Sequence, residues 1–231
     1  MELGSFHSYT PYFGEMKGDD NMSEEYSIQQ KTNSRYPDEV LKELVTSTTQ
    51  ILNTLIPEWS SNPSTRGTPR RFIEYLAEYT QDIPFDRIFG SIYDLPKGAS
   101  HQIIAQVNIP FRGMCEHHLL PMWGTAALGY IPNAKVLGLS KLVRLVQAVG
   151  VEKPSLQEYY ADRIVYLMRD RLDPAGIALI IKSEHSCMAC RGVATPNVPT
   201  ITSTMDGAFL ANPTARQEFL ELVKMGDHHV K

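Results

Sequence analysis

The sequence contains few cysteines and no excess of basic residues. Three cysteines in 231 residues are too few for the disulfide framework of a small secreted protein, and they favour a reducing compartment. Lys and Arg total 22 against 26 Asp and Glu, which gives a net charge of -4. This balance argues against binding to nucleic acid through bulk charge. We therefore expect no nucleic-acid partner, and the cysteines become candidates for chemistry.

Long apolar runs are also missing. No segment approaches the roughly 20 consecutive apolar residues that a membrane-spanning helix needs. The N-terminal sequence lacks a basic stretch followed by an apolar one, the pattern of a secretory signal. Apolar residues still make up 42% of the chain, so a sizeable core can form. These features predict a cytoplasmic protein with no membrane partner.

The apolar pattern divides the chain into an arm and a folded domain. Residues 1–35 are polar and lack periodicity, which predicts a mobile N-terminal arm. The folded domain is expected over 36–231, with helices first and a loop at 90–98. Strand-like runs follow at 101–109, 123–131, 177–181 and 200–204, with further helices between and after them. This order predicts an α+β fold with a mostly antiparallel sheet, and all helices can lie on one face of it.

The densest chemical signal is the run C-E-H-H at residues 115–118. Zinc binds thiolate and imidazole, and a cysteine and a histidine three positions apart can reach one ion from a turn. Cys187 and Cys190 follow a buried strand-like run that could return beside this cluster. Three interpretations stay open: a closed four-ligand structural site, a three-ligand catalytic site, and buried cysteines without metal. His117 favours catalysis, because a second histidine beside a ligand is useful for proton transfer.

A second signal is a pair of cations at the start of a predicted helix. Lys141 and Arg144 share one face of that helix, which Ser140 is expected to cap. Cations there oppose the helix dipole, whereas a bound phosphate would be stabilised by the free N–H groups. Arg71 and Arg191 could join the same pocket. The alternative is a set of solvated surface cations.

A third signal is Gln157-Glu158 at the start of another helix. Ser155 and Glu158 have the spacing of a capping box, and spacing alone favours that interpretation. The alternative is a carboxylate at Glu158 that accepts hydrogen bonds from the edge of a guanine base.

Taken together, these motifs resemble those of GTP cyclohydrolase I. The matching segments are C-E-H-H at 115–118, G-Y-I-P at 129–132, G-L-S-K-L-x-R at 138–144, Q-E at 157–158, H-x-C-M-x-x-R-G at 185–192, T-P-x-R at 68–71 and R-x-E-F-L at 216–220. The resemblance spans about residues 37–224, in order, and the set of motifs is highly specific.

The resemblance implies a fold and a metal site. The fold is the tunnelling fold (T-fold), in which the antiparallel sheets of several subunits close a barrel behind an N-terminal helical segment. Family members assemble as two stacked pentamers, so a homodecamer is expected. Zinc would be bound by Cys115, His118 and Cys187, with His117 as proton donor and acceptor. No organic cofactor is required.

The resemblance also implies a reaction with GTP and water as substrates. Hydrolysis would open the imidazole ring of guanine and release formate, and ring closure would give 7,8-dihydroneopterin triphosphate. This is the first step of pterin (folate, tetrahydrobiopterin) or deazaguanine synthesis. The implied guanine ligands are Gln157 and Glu158, the triphosphate ligands are Lys141, Arg144, Arg191 and Arg71, and the residues near the ribose are Ser140 and His185.

The chain departs from the family pattern in three ways. Gly113 stands where serine is expected, and Cys190 adds a thiol beside the metal cluster. The linker at 151–157 is one residue longer than the usual form and has Lys153 where arginine is expected. Two other functions stay open. One is a T-fold nitrile reductase of deazaguanine synthesis, which needs a nucleophilic cysteine and a nicotinamide, and the cysteine-histidine triad argues against it. The other is a structural-zinc protein that binds purine nucleotides without catalysis.

Overall fold

The computed structural model describes residues 36–99 and 101–227. Contacts divide the chain into two units, Met1–Glu43 and Leu44–Lys231, and the second unit contains the sheets. The predicted mobile arm at residues 1–35 lies outside the described residues and stays a prediction.

The described residues form helices and strands in the order that the sequence predicts, with some additions. The helices are α1 (Asp38–Leu55), α2 (Thr68–Ala77), α3 (Phe85–Ile88), α4 (Leu139–Glu152), α5 (Gln157–Leu172), α6 (Ser186–Ala189), α7 (Ala208–Ala211) and α8 (Pro213–Asp227). The strands are β1 (Ile92–Asp94), β2 (Ile104–Cys115), β3 (Leu120–Ile131), β4 (Lys135–Leu137), β5 (Gly176–His185) and β6 (Thr200–Gly207). None of the helices in these ranges is long and apolar enough to cross a membrane.

The long strands form one antiparallel sheet in the order β2-β3-β5-β6. The short strands β1 and β4 pair separately. The α+β class with an antiparallel sheet is therefore confirmed. In this order β3 and β5 are central, while β2 and β6 form the edges. The segments that follow β2 and β5 consequently lie at the same end of the sheet.

Helices pack on both faces of the sheet. Ala126 and Leu128 of β3 belong to a large apolar core together with buried residues of α4 and α5. Ala127, whose side chain points the other way, packs with Phe209 of α7 and Phe219 of α8. The expectation that all helices lie on one face is therefore wrong for α7 and α8. Contact with α8 is close enough that a Cβ on Gly129 would lie 2.7 Å from the Phe219 ring.

The starts of α4 and α5 differ from the predicted caps. The N-cap of α4 is Gly138, so Ser140 lies inside the first turn and does not cap it. The N-cap of α5 is Leu156, again without a side-chain cap. The capping box predicted for Ser155 and Glu158 is therefore wrong.

Candidate active site

The hairpin between β2 and β3 carries the first half of the candidate metal site. Cys115 is the last residue of β2 and pairs with Leu120, the first residue of β3. Leu119 adopts a left-handed conformation with φ 52°, and its N–H donates to the carbonyl of Cys115 at 2.9 Å. This tight loop holds His117 and His118 next to the buried Cys115.

Strand β5 brings the second half to the same place. His185, the last residue of β5, pairs with Met122 of β3. The short helix α6 follows, and the Ser186 hydroxyl donates to the carbonyl of Pro121. Because β3 adjoins both the hairpin and β5, Cys187 on α6 lies beside the hairpin loop.

Three ligand atoms meet at this junction. One ligand atom from each of Cys115, His118 and Cys187 lies within 4.8 Å of the other two. Zinc–sulfur bonds of about 2.3 Å and zinc–nitrogen bonds of about 2.0 Å place the ligand atoms of one ion roughly 3–4 Å apart. This Cys-His-Cys group can therefore bind a metal ion after small side-chain adjustments, and its donor set matches the preference of zinc.

Cys190 is not part of the three-residue group that the described residues form. Its side chain is exposed, and its thiol donates to the carbonyl of Ser186 at 2.8 Å. The geometry thus favours three protein ligands with a fourth position for another ligand. Burial raises the pKa of the Cys187 thiol, nearby Cys115 raises it further, and Arg191 opposes both effects.

His117 lies beside the group but outside it. Its ring is 6.3 Å from that of His118, centroid to centroid, and the two planes are 83° apart. Both rings are exposed on the hairpin loop. The roles of His118 as a metal ligand and of His117 in proton transfer stay predictions.

The start of α5 places two neighbouring side chains in different environments. Gln157 is only 2% exposed, whereas Glu158 is exposed. The Glu158 carboxylate lies close enough to His185 to raise the pKa of that imidazole, although burial has the larger effect and lowers it. Glu158 is thus available to a ligand beside His185.

Gln157 forms hydrogen bonds with the sheet through both ends of its carboxamide. Its nitrogen donates to the Ile181 carbonyl at 3.0 Å, the Thr200 carbonyl at 3.2 Å and the Thr202 hydroxyl at 3.0 Å. Its oxygen accepts a hydrogen bond from the Ser183 hydroxyl at 2.6 Å and lies 2.8 Å from Nε2 of His185. The polar atoms of this side chain are therefore already used within the protein.

Tyr160 also contributes to the site, although no sequence motif marks it. Its hydroxyl accepts from the Met114 N–H at 3.1 Å and can donate to the carbonyls of Met114 at 3.0 Å and Lys153 at 2.8 Å. Met114 immediately precedes the ligand Cys115. In the sequence, Tyr160 has the position of an ordinary buried residue of an amphipathic helix. Its hydroxyl, which needs a hydrogen-bond partner when buried, was the only signal that it holds Met114.

The predicted phosphate ligands lie on three elements. Lys141 and Arg144 occupy the first turns of α4, next to Ser140, which is predicted to act near the ribose. Arg71 lies in the first turn of α2, where its guanidinium donates to the Thr68 hydroxyl at 3.1 Å. Arg191 follows α6 and acts electrostatically on Cys187. Their role in binding a triphosphate stays a prediction.

Comparisons with known proteins identify the family. The family model described as GTP cyclohydrolase I matches residues 45–224. The chain belongs to the GTP cyclohydrolase I family. This confirms the resemblance seen in the motifs, and it makes the chain an enzyme.

Relatives named GTP cyclohydrolase 1 cover most of the chain. The protein from Leptospira biflexa is 42% identical over 77% of this chain and 98% of its own length. The Hydrogenobaculum protein is 39% identical over 69% of this chain and 85% of its own length. The Bacillus subtilis protein is 36% identical over 82% of this chain and 99% of its own length. The antiparallel α+β structure is consistent with the T-fold of the family.

Among solved structures, an archaeosine synthase QueF-like protein aligns with a TM-score of 0.38 and 14% identity, over 47% of this chain and 97% of that chain. Similarity at this level supports no inference about fold or function.

Proposed function

We propose that this member of the GTP cyclohydrolase I family hydrolyses GTP with bound zinc, releasing formate and forming 7,8-dihydroneopterin triphosphate. The observation that carries the proposal is the convergence of Cys115, His118 and Cys187 within 4.8 Å, with His117 beside them. A three-ligand site leaves a position for a reacting molecule, which a closed structural site does not.

The three ligands and His117 have separate roles in this proposal. Cys115, His118 and Cys187 would hold the ion, and Cys190 would not. When bound, zinc supplies a Lewis acid that activates water and polarises the substrate at neutral pH. His117 would give a proton to the imidazole ring of guanine as it opens after water attacks C8, and would accept one in the later step that releases formate.

The remaining site residues would recognise the nucleotide. The exposed carboxylate of Glu158 can accept two hydrogen bonds from the N–H groups of the guanine edge. Lys141, Arg144, Arg191 and Arg71 supply the positive charge for a triphosphate, and the N-terminus of α4 adds free N–H groups. Ser140 and His185 would act near the ribose during its rearrangement and closure of the pteridine ring.

An oligomeric barrel is part of the same proposal. Strands β2 and β6 are the edges of the sheet, and exposed edges are normally paired or covered. Apolar residues of α1 also remain exposed within one chain, with Ile51 at 60% and Leu55 at 72%. A homodecamer of two stacked pentamers would pair the edges into a barrel. Its mass in solution would be near ten times 26.0 kDa, and an active monomer would contradict this assembly.

The proposed setting is the cytoplasm, where the product would enter pterin or deazaguanine synthesis. Formate release tests the reaction directly. Purified full-length protein is stripped of metal with a chelator, reloaded with zinc, and incubated with GTP. We expect formate and, after oxidation, a fluorescent pterin in equal amounts, only in the reloaded sample. Glu158→Gln should reduce the rate with GTP. Zinc binding without formate release would instead indicate a nucleotide-binding protein with a structural metal.

A further inference from the structure

The carboxamide of Gln157 has only one orientation that its surroundings accept. The carbonyl oxygens of Ile181 and Thr200 lie 3.0 Å and 3.2 Å from one end of the amide. A carbonyl oxygen can only accept a hydrogen bond, so this end must be the NH₂ group. The amide oxygen therefore faces the Ser183 hydroxyl and the ring of His185.

This orientation determines which nitrogen of His185 carries hydrogen. The amide oxygen of Gln157 lies 2.8 Å from Nε2, and an amide oxygen only accepts. Nε2 must then be the donor, and in the neutral ring Nδ1 is left as the acceptor. The bond made by one ring nitrogen commonly determines the role of the other.

We propose that Gln157 is a positioning residue: its carboxamide holds the imidazole of His185 in the Nε2–H form, with Nδ1 as the acceptor, and does not bind the guanine base. This inference rests on the proposed function for its catalytic meaning, since His185 would use Nδ1 to accept a hydrogen bond from the substrate. It assigns guanine recognition at this helix start to Glu158, the exposed neighbour.

The burial of Gln157 supports this role. At 2% exposure, its side chain would have to break several internal hydrogen bonds to reach a base. A buried polar group that loses its partner without replacement is strongly unfavourable. The same bonds join α5 to β5 and β6, so the amide also sets the position of the helix start that carries Glu158.

The tautomer can be measured without any turnover. Full-length, zinc-loaded protein is labelled with ¹⁵N-histidine and studied by solid-state NMR, and the His185→Asn variant identifies the signals of His185. We expect a protonated Nε2 and an unprotonated Nδ1 for the neutral ring. Hydrogen on Nδ1 in the wild-type protein would overturn the proposal.

Two variants separate positioning from general packing. Gln157→Met keeps the length of the side chain but removes the acceptor, so the Nε2–H form of His185 should lose its predominance. Ser183→Ala removes the other hydrogen bond to the same oxygen and should leave the His185 signals unchanged. Equal spectra for wild type and Gln157→Met, with the fold retained, would also overturn the proposal.

Kinetics distinguish the two roles of Gln157. If Gln157 is a positioning residue, its replacement by Met should lower kcat by about 10- to 100-fold, the range typical for loss of a residue that orients a group of the site. The KM for GTP should change little. In a His185→Ala background the same replacement should have no further effect. A raised KM that persists in that background would make Gln157 a guanine ligand. If the wild-type protein releases no formate, the proposed function fails, while the NMR experiment still decides the tautomer.

Discussion

Replacing Tyr160 by Phe tests how strongly the buried phenol of α5 stabilises the β2–β3 hairpin, which carries Cys115 and His118 (the metal hairpin). Tyr160 is 2% exposed, and its hydroxyl accepts from the N–H of Met114, which is fully buried. Phe keeps the ring and its edge-on contact with Phe111, where the centroids are 5.7 Å apart. The change therefore removes hydrogen bonds and leaves the apolar packing in place.

The expected loss of stability follows from the groups left without partners. The Met114 N–H loses its acceptor, and the carbonyl of Lys153 loses a donor at 2.8 Å. An unsatisfied buried polar group costs about 1–3 kcal/mol, so the free energy of unfolding should fall by that amount. The matched control is Tyr159→Phe, because Tyr159 is 57% exposed and surface changes usually stay within about 0.5 kcal/mol.

A pH series adds an independent signature. Burial raises the pKa of Tyr160 to about 12 from 10.0, so the unfolded chain releases this proton first. The contribution of the neutral phenol to the free energy of unfolding is fully present below pH 10, and it is lost as the pH rises toward about 12. This rise in the pKa of Tyr160 corresponds to roughly 2–3 kcal/mol. The advantage of wild type over Tyr160→Phe should therefore shrink above pH 10.

Urea unfolding of zinc-loaded protein, at one protein concentration and several pH values, measures both effects. The reasoning fails if Tyr160→Phe is no less stable than Tyr159→Phe at neutral pH. It also fails if the difference between wild type and Tyr160→Phe stays constant from pH 9 to pH 12.

Three further predictions concern the proposed site. Cys190→Ala should keep about one zinc per chain by metal analysis, whereas Cys187→Ala should lose it; equal loss would indicate a four-ligand site. His117→Ala should retain zinc and lose about 10²–10⁴-fold in turnover, and loss of zinc there with retention in His118→Ala would exchange the two roles. Arg144→Ala should weaken GTP binding far more than guanosine binding in calorimetry, with added salt acting similarly; equal weakening would place Arg144 outside the phosphate site.

The sequence predicts the long strands better than their ends. Alternating or continuous apolar residues mark the centres of β2, β3 and β5, and β-branched Thr and Ile mark the start of β6. All four strands are present. The second half of β2, from Pro110 onward, lies outside the predicted strand because Pro110 and Arg112 interrupt the apolar pattern. Strand β1 lies in a segment expected to be a loop, since three residues are too few to show a periodicity.

The position of α8 could have been anticipated from β3. Ala126, Ala127 and Leu128 are consecutive and all buried, so both faces of the strand must be covered. The amphipathic pattern of α8 shows which side of the helix is buried but not which face of the sheet it contacts. The continuous apolar run in β3 was the available signal.

In the candidate site, too, local patterns predict the chemistry of the residues but not the contacts between distant segments. The motifs at 115–118 and 187 predict a shared metal because ligand chemistry is local, and strand order then brings them together. Spacing also suggested a cap at Ser155, but its backbone N–H instead donates to the carbonyl of Met114 at 2.9 Å. This bond draws the chain before α5 toward β2, so the helix begins at Gln157. A contact between residues 41 positions apart thus overrides the local capping pattern.

Gly113, which stands where serine is expected, shows how the packing around Tyr160 limits the choice of residue in β2. A Cβ at this position would lie 2.9 Å from Cε2 of Tyr160 and 3.2 Å from the ring of Phe111. The tyrosine therefore occupies the space that a side chain at 113 would need, and overpacking of this kind typically costs about 1–3 kcal/mol. A serine at 113 would therefore require the rings of Tyr160 and Phe111 to move. Moving Tyr160 would disturb the hydroxyl that accepts from the Met114 N–H. Gly113 thus fits against Tyr160 and Phe111 without displacing either ring, two residues before Cys115.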